Sequence, residues 1–220
     1  MRTKKIVSFT NFIEETCSDS RNGYLFRGVS DVKKHKLLPS IGRLSKFKDK
    51  PLSALVKEEK HWFKRFRLEG SRHVSGKRDD WEWMVLARHH GLPVRILDWS
   101  RNPLVALFFA LRDDSGATAA VYAERFTTHI NIEKEKDPFK VAKIGKFQPN
   151  HSCARIAAQA SMLSIHPDPT IEYTSKTILT FEIPPELSSV LKSNLRRCGI
   201  HSAAMFPDLD GLASSIRYGE

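Results

Sequence analysis

The chain is expected to fold as α+β, a single compact domain in which a central, largely antiparallel sheet is flanked by helices. Two patterns carry that expectation. Leu52, Leu55, Val56, Trp62, Phe63 and Phe66 recur at spacings close to three and four, the signature of an amphipathic helix. Short apolar runs at 93–99, 118–124 and 178–183 have the length and composition of strands. No internal repeat, low-complexity tract or linker divides the 220 residues, so one domain over 1–220 is the simplest organisation.

The elements follow in order. Residues 8–17 suggest a first helix, with Asn11 and Glu14 at capping-box spacing. Tyr24-Leu25-Phe26 reads as a strand stopped by Gly28, and 37–43 as a connection containing Pro and Gly. After the helix at 52–68 and a polar loop at 71–79, Asp79 or Asp80 caps a helix that ends at Gly91. Residues 93–99 form a strand. Ser100 or Asn102 then caps a helix with Pro103 in its first turn, and that helix is apolar nearly all round, hence buried. Residues 126–140 are charged and irregular, a surface excursion. Strands are expected at 144–147 and 178–183, a helix at 185–198, and a last helix starting at Asp208.

The net charge of +11 is concentrated: residues 33–78 hold 15 Lys/Arg against 4 Asp/Glu, and the rest of the chain balances. Such a segment favours an acidic partner, nucleic acid first, although a solvated helical face has the same composition. No apolar run approaches membrane-spanning length. Cys17, Cys153 and Cys198 are odd in number and far apart, and no signal-peptide pattern opens the chain. A cytoplasmic protein with reduced thiols, away from the membrane, is the expectation.

Candidate chemistry gathers in the connections of residues 81–114, where His89, His90, Arg95, Asp98, Trp99, Arg101 and Asn102 cluster. Arg27, at a strand end, can grip a phosphate with its planar fork, or pair with an internal acid such as Asp98 or Asp208; Gly28 would let a ligand approach the backbone. His90, nearer the turn than His89, is preferred as donor or base. Arg95 and Asp98 need partners if buried. They form either a structural corner or a catalytic one. Asp208 and Asp210 offer two carboxylates for a metal, but Asp208 is also a good helix cap, and no metal set is assigned. No dinucleotide glycine motif, P-loop or zinc spacing is present.

Five blocks in order, YLFRGVSD, LLPSIGR, ARHHGLPVRILDWSRNPLVALFFAL, ARIAAQASML and GIHSAAMFPDLDGLA, resemble the FRG domain family across about 24–213. One departure stands out: the family continues Gln-x-Gly-x-Phe, where this chain has Gln159-Ala160-Ser161-Met162-Leu163. The segment Tyr24-Leu25-Phe26-Arg27-Gly28 is also similar to the strand end of arginine-serine-glutamate ADP-ribosyltransferases, whose arginine binds the phosphates of NAD. The resemblance implies an NAD-dependent toxin or phage-defence effector that modifies a nucleic-acid or protein acceptor, with a protein partner or antitoxin as a further implication. In that reading Arg27, Gly28, Arg95, Arg155 and Gln159 hold the cofactor, and His90, Asp98 and Asn102 form the catalytic pocket. Ser161 is the candidate central serine, and Glu133-Lys134-Glu135 the only Glu-x-Glu, with Glu124, Glu172 and Glu182 as single alternatives. Two alternatives stay open: a nucleic-acid-binding protein or metal-dependent nuclease in which Asp208, Asp210 and one of the glutamates hold a hard cation such as Mg²⁺, and a non-catalytic interaction module.

Overall fold

The structure, a computed structural model, describes residues 2–113, 116–150, 154–217 and 219. Seven strands form one sheet: β1 (Arg2–Lys5), β2 (Leu25–Val29), β3 (Ile96–Ser100), β4 (Ala119–Glu124), β5 (Gly145–Phe147), β6 (Ser161–Ile165) and β7 (Leu179–Ile183), in the order β1-β7-β4-β2-β3-β6-β5. Only the edge pair β1–β7 is parallel; every other neighbour is antiparallel. The fold is therefore α+β with a largely antiparallel sheet.

The helices are α1 (Phe9–Cys17), α2 (Leu52–Gly70), α3 (Asp80–His89), α4 (Pro103–Leu111), α5 (Ala154–Ala158), α6 (Ser188–Arg197), α7 (Ser202–Met205) and α8 (Leu209–Arg217). Side chains of α1, α4 and α6 bury a cluster with Phe26, Val121 and Phe181 of the sheet. Helices α2 and α3 pack Phe63, Trp81 and Met84 with Ile96, Leu163 and Phe147. Residues that alternate to the other side of β2, β3 and β4 (Leu25, Leu97, Trp99, Tyr122) form a third cluster with Leu37 and Phe126.

One irregularity positions the site. β2 pairs with β4 over five residues, and β3 with β6 over five, but β2 and β3 share a single register pair, Phe26 with Ser100. Beyond it the ladder stops, so two half-sheets part between Arg27–Val29 and Leu97–Trp99. Helix α4 lies against β2 at this point. A Cβ on Gly28 would stand 1.9 Å from the Ala106 carbonyl oxygen, so only glycine admits the helix backbone this close.

Local expectations needed four corrections. The strand at Tyr24–Phe26 is not stopped by Gly28 but runs through it to Val29, because the glycine serves packing against α4. The first helix is capped by Ser8, whose Oγ accepts from Asn11 N, while Asn11 Oδ1 accepts from Val7 N; Glu14 takes no part. The strand expected at 93–99 begins at Ile96, and β1 and β6 were not expected at all. β1 has the sequence RTKK with every residue exposed, so nothing apolar marks it; it exists by pairing with β7. The segment 126–140 is turn-rich as expected, yet it buries Phe126 and Ile130.

Candidate anion-binding site

A cavity of about 420 Å³ opens where β2 and β3 part, closed by α4, the end of α3, and the chain around Arg155 and Phe206. Six Lys/Arg side chains line it (Arg27, Lys36, Arg43, Arg88, Arg112 and Arg155) against two carboxylates, Asp98 and Asp113.

Arg27 stands at its centre. Its side chain is 13% exposed. Arg27 Nη1 donates to the Asp98 carbonyl oxygen at 2.7 Å, at a point where the strand ladder has stopped, and lies 3.8 Å from Asp98 Oδ2. Arg88 Nη2 holds the same Oδ2 at 2.6 Å. One carboxylate thus faces two guanidiniums, and the Nε atoms of both Arg27 and Arg88 are buried without a partner. Buried polar groups are normally hydrogen-bonded, so two orphaned donors beside a cavity mark a place for acceptor oxygens.

The electrostatics agree. Burial pulls Arg27 down to about 10 against the pull of Asp98, with Arg88 and Arg43 adding repulsion. Arg43 is lowered in the same way, by burial and then by Arg88. Burial pushes the Asp98 carboxyl up, but Arg88 and Arg27 outweigh it and hold the group below the usual carboxylate range. A bound anion would relieve the crowding of cations. On the far wall two guanidiniums lie against the Phe206 ring, Arg112 at 4.7 Å and Arg155 at 4.9 Å from its centroid. Arg155 also donates to the His89 carbonyl oxygen and to Asp208 Oδ2, at 3.0 and 2.9 Å. Gln159 Nε2 donates to the Met205 carbonyl oxygen at 3.0 Å.

Of the residues singled out from sequence, Arg27, Gly28, Asp98, Arg155, Gln159 and Ser161 meet on the cavity wall. His90, Arg95 and Asn102 are placed elsewhere. His90 caps α3 and lines a separate depression with His89, Arg155 and Asp208, and of the two histidines His89 also lines the main cavity. Burial holds the His89 imidazole below its usual range, despite Asp98. Arg95 does not form a corner with Asp98. It is 2% exposed and paired to Glu59 of α2 through Nε at 3.0 Å, Nη2 at 2.7 Å and its backbone N at 2.8 Å. Asn102 caps α4, its Oδ1 accepting from Leu104 N. Asp208 Oδ1 accepts from Gly211 N at the start of α8, which with the Arg155 pair accounts for both its oxygens. Among the described residues no group of three or more His, Cys, Asp or Glu could share a metal ion.

Sequence reasoning passed over Arg43, Arg88, Arg112 and Phe206. Arg43 and Phe206 sit inside the blocks already quoted, and Arg88 is a basic residue in the last turn of its helix. Those signals were present, but nothing local says that they converge. A search of curated proteins found no match, and neither did a search of solved structures. Comparison with protein families matches the FRG domain over residues 22–118.

This chain carries an FRG domain. The matched stretch holds β2, Arg43, Arg88, His89, β3 and α4, the cavity's core. Arg155, Gln159, Ser161 and Phe206 close it from outside the match. The tripeptide Phe26-Arg27-Gly28 now has a division of labour: Phe26 and Gly28 pack against α4, and Arg27 alternates away from them into the gap between the half-sheets. Among the described residues no helix is long and apolar enough to cross a membrane.

Proposed function

We propose that the cavity binds the diphosphate of a nicotinamide dinucleotide and that the protein is an ADP-ribosyltransferase-like toxin or defence effector with NAD as donor. The observation that carries this reading is Arg27: a desolvated guanidinium fixed in the gap between two half-sheets, with an unpartnered Nε and further arginines around it. Guanidinium forks match phosphate oxygens, and a buried site strengthens each such bond. Bound NAD would supply an ADP-ribosyl group by loss of nicotinamide.

The chain's own residues divide the remaining work. Arg27 and Arg88 hold phosphate oxygens while fixing Asp98. Asp98, kept ionised by both, favours positive charge developing on a ribose. His89, neutral near pH 7, can accept a proton from an acceptor hydroxyl or amine. Among the described residues the lining contains no glutamate. Glu133 and Glu135 lie in a turn capped by Asn131, and Glu124 is buried with Tyr173 and Thr177. The carboxylate role therefore falls to Asp98, a departure from the arginine-serine-glutamate arrangement in which Ser161 keeps its place at the cavity wall.

The test is calorimetric titration with NAD and ADP-ribose, followed by transfer from labelled NAD onto protein and nucleic-acid acceptors. Wild type should bind and release nicotinamide, and Asp98→Asn should bind but turn over at least ~100-fold more slowly. Wild-type protein that neither binds NAD nor releases nicotinamide would sink the reading.

A further inference from the structure

A second concavity, about 570 Å³, lies on the surface of α2 and has no part in the chemistry above. Trp62 and Phe66 line it from successive turns of the helix, Leu92 and Pro93 from the chain before β3, and Arg65, Glu69, Arg72 and His73 from its rim, where Glu69 accepts from Arg65 Nε at 2.7 Å. The amphipathic pattern of α2 is that of a core helix, and Leu55, Glu59 and Phe63 are indeed buried. Trp62 and Phe66 are not: both remain half-exposed at the edge of that core. Lys46 Nζ stands 4.0 Å from the Trp62 ring centroid, so a cation already rests against the same aromatic surface.

Its lining carries two guanidiniums, Arg65 and Arg72, against one carboxylate, Glu69. The groove sits on the segment that holds the chain's whole excess of +11. The segment is also continuous with the cavity: Arg43 lines the cavity and Lys46 covers Trp62, three residues later, so their Cα atoms are at most about 11 Å apart. Half-exposed aromatic rings interleaved with cations suit bases and phosphates together, and a flexible single strand can offer both along one groove. A duplex hides its base faces and would leave the rings unused.

We propose that this groove docks single-stranded nucleic acid, with bases on Trp62 and Phe66 and phosphates on Arg65 and Arg72. A strand held there would pass along Lys46 and Arg43 toward the cavity, which makes it the acceptor if the transferase reading holds. Docking itself needs neither NAD nor turnover, so it is measured without them.

The experiment is fluorescence anisotropy of the full chain with labelled oligo-dT and oligo-U of about 15 nucleotides, at a series of salt concentrations. Wild type should bind both, with log affinity falling linearly in log salt. Trp62→Ala should weaken binding about 5- to 150-fold, the worth of one base stack. Because Trp62 also touches Phe47, Arg65→Gln/Arg72→Gln supplies a variant confined to the rim. It should keep the wild-type melting temperature and flatten the salt slope by about 0.7 for each phosphate that is no longer neutralised. Failure of wild type to bind, binding unmoved by both groove variants, or equal binding of a poly-glutamate peptide would each overturn the proposal. Loss of NAD turnover with oligonucleotide binding intact would instead fall on the cavity.

Discussion

Two arginine–carboxylate assemblies flank strand β3, and they differ in almost everything except chemistry. At its start Arg95 meets Glu59 with side-chain exposures of 2% and 1%. Both carboxylate oxygens are engaged, and Arg95 Nη1 also donates to the Pro167 carbonyl oxygen. In its middle Asp98, 37% exposed, faces Arg27 and Arg88 with two guanidinium Nε atoms left over. Burial pushes the Glu59 carboxyl above its usual range in spite of Arg95, whereas two arginines hold Asp98 below it. The first pair is sealed and locks α2 to the sheet. The second is unfinished and open to a cavity. An ion pair announces a ligand site by what it leaves unsatisfied.

The largest expected effect breaks the sealed pair. Glu59→Ala leaves Arg95 buried and unpaired and should cost about 3–5 kcal/mol of stability in urea unfolding, while Asp98→Asn, with its surroundings partly solvated, should cost far less. Equal losses would erase the distinction between the two assemblies.

Ligand affinity sharpens it from the other side. Arg27→Ala should weaken NAD binding by about 10- to 100-fold, the worth of charge-assisted hydrogen bonds, with Arg27→Lys recovering little because the planar fork is gone. Titration calorimetry reads both variants.

Acid separates the two regions in a third way. His166, fully buried behind the site and bonded to Ser164, is pulled down to about 3 by burial and by Arg27. Its folded-state value lies below the unfolded one, near 6.5, so the unfolded chain takes up the proton first. The stability from neutral His166 is full above about pH 6.5 and should fall by about 1.4 kcal/mol per pH unit down to pH 3. His166→Gln should remove that slope from a series of unfolding curves, and an unchanged slope would assign it to other groups.

The smallest effect discriminates neighbours. His90→Ala should leave NAD-dependent turnover within about two-fold of wild type, whereas His89→Ala should lower it and remove the acid limb of its pH profile. The reverse result would return the role to His90.

Local chemistry was legible in the chain. Asp79 and Glu82 form the capping box of α3, Asn102 and Pro103 start α4, Asp208 caps α8, and Gly91 and Gly199 take positive φ just past helix ends. These devices act over a few residues, where sequence spacing is spatial spacing. Arg27 and Asp98 stood out for the same reason, as charged residues beside apolar strand runs.

Long-range packing supplied the rest. Arg95 was expected to answer Asp98, three residues away, but a strand sends residues of odd separation to opposite faces. Its partner came from α2, 36 positions earlier. His89, the last residue of α3, lines the cavity while His90 caps the helix, and β1 exists only because β7 offers an edge. The split between β2 and β3 has no signature in either strand. It arises where Gly28 lets α4 press against one half-sheet while α2 and α3 carry the other, and that division brings six cations from distant segments to one cavity.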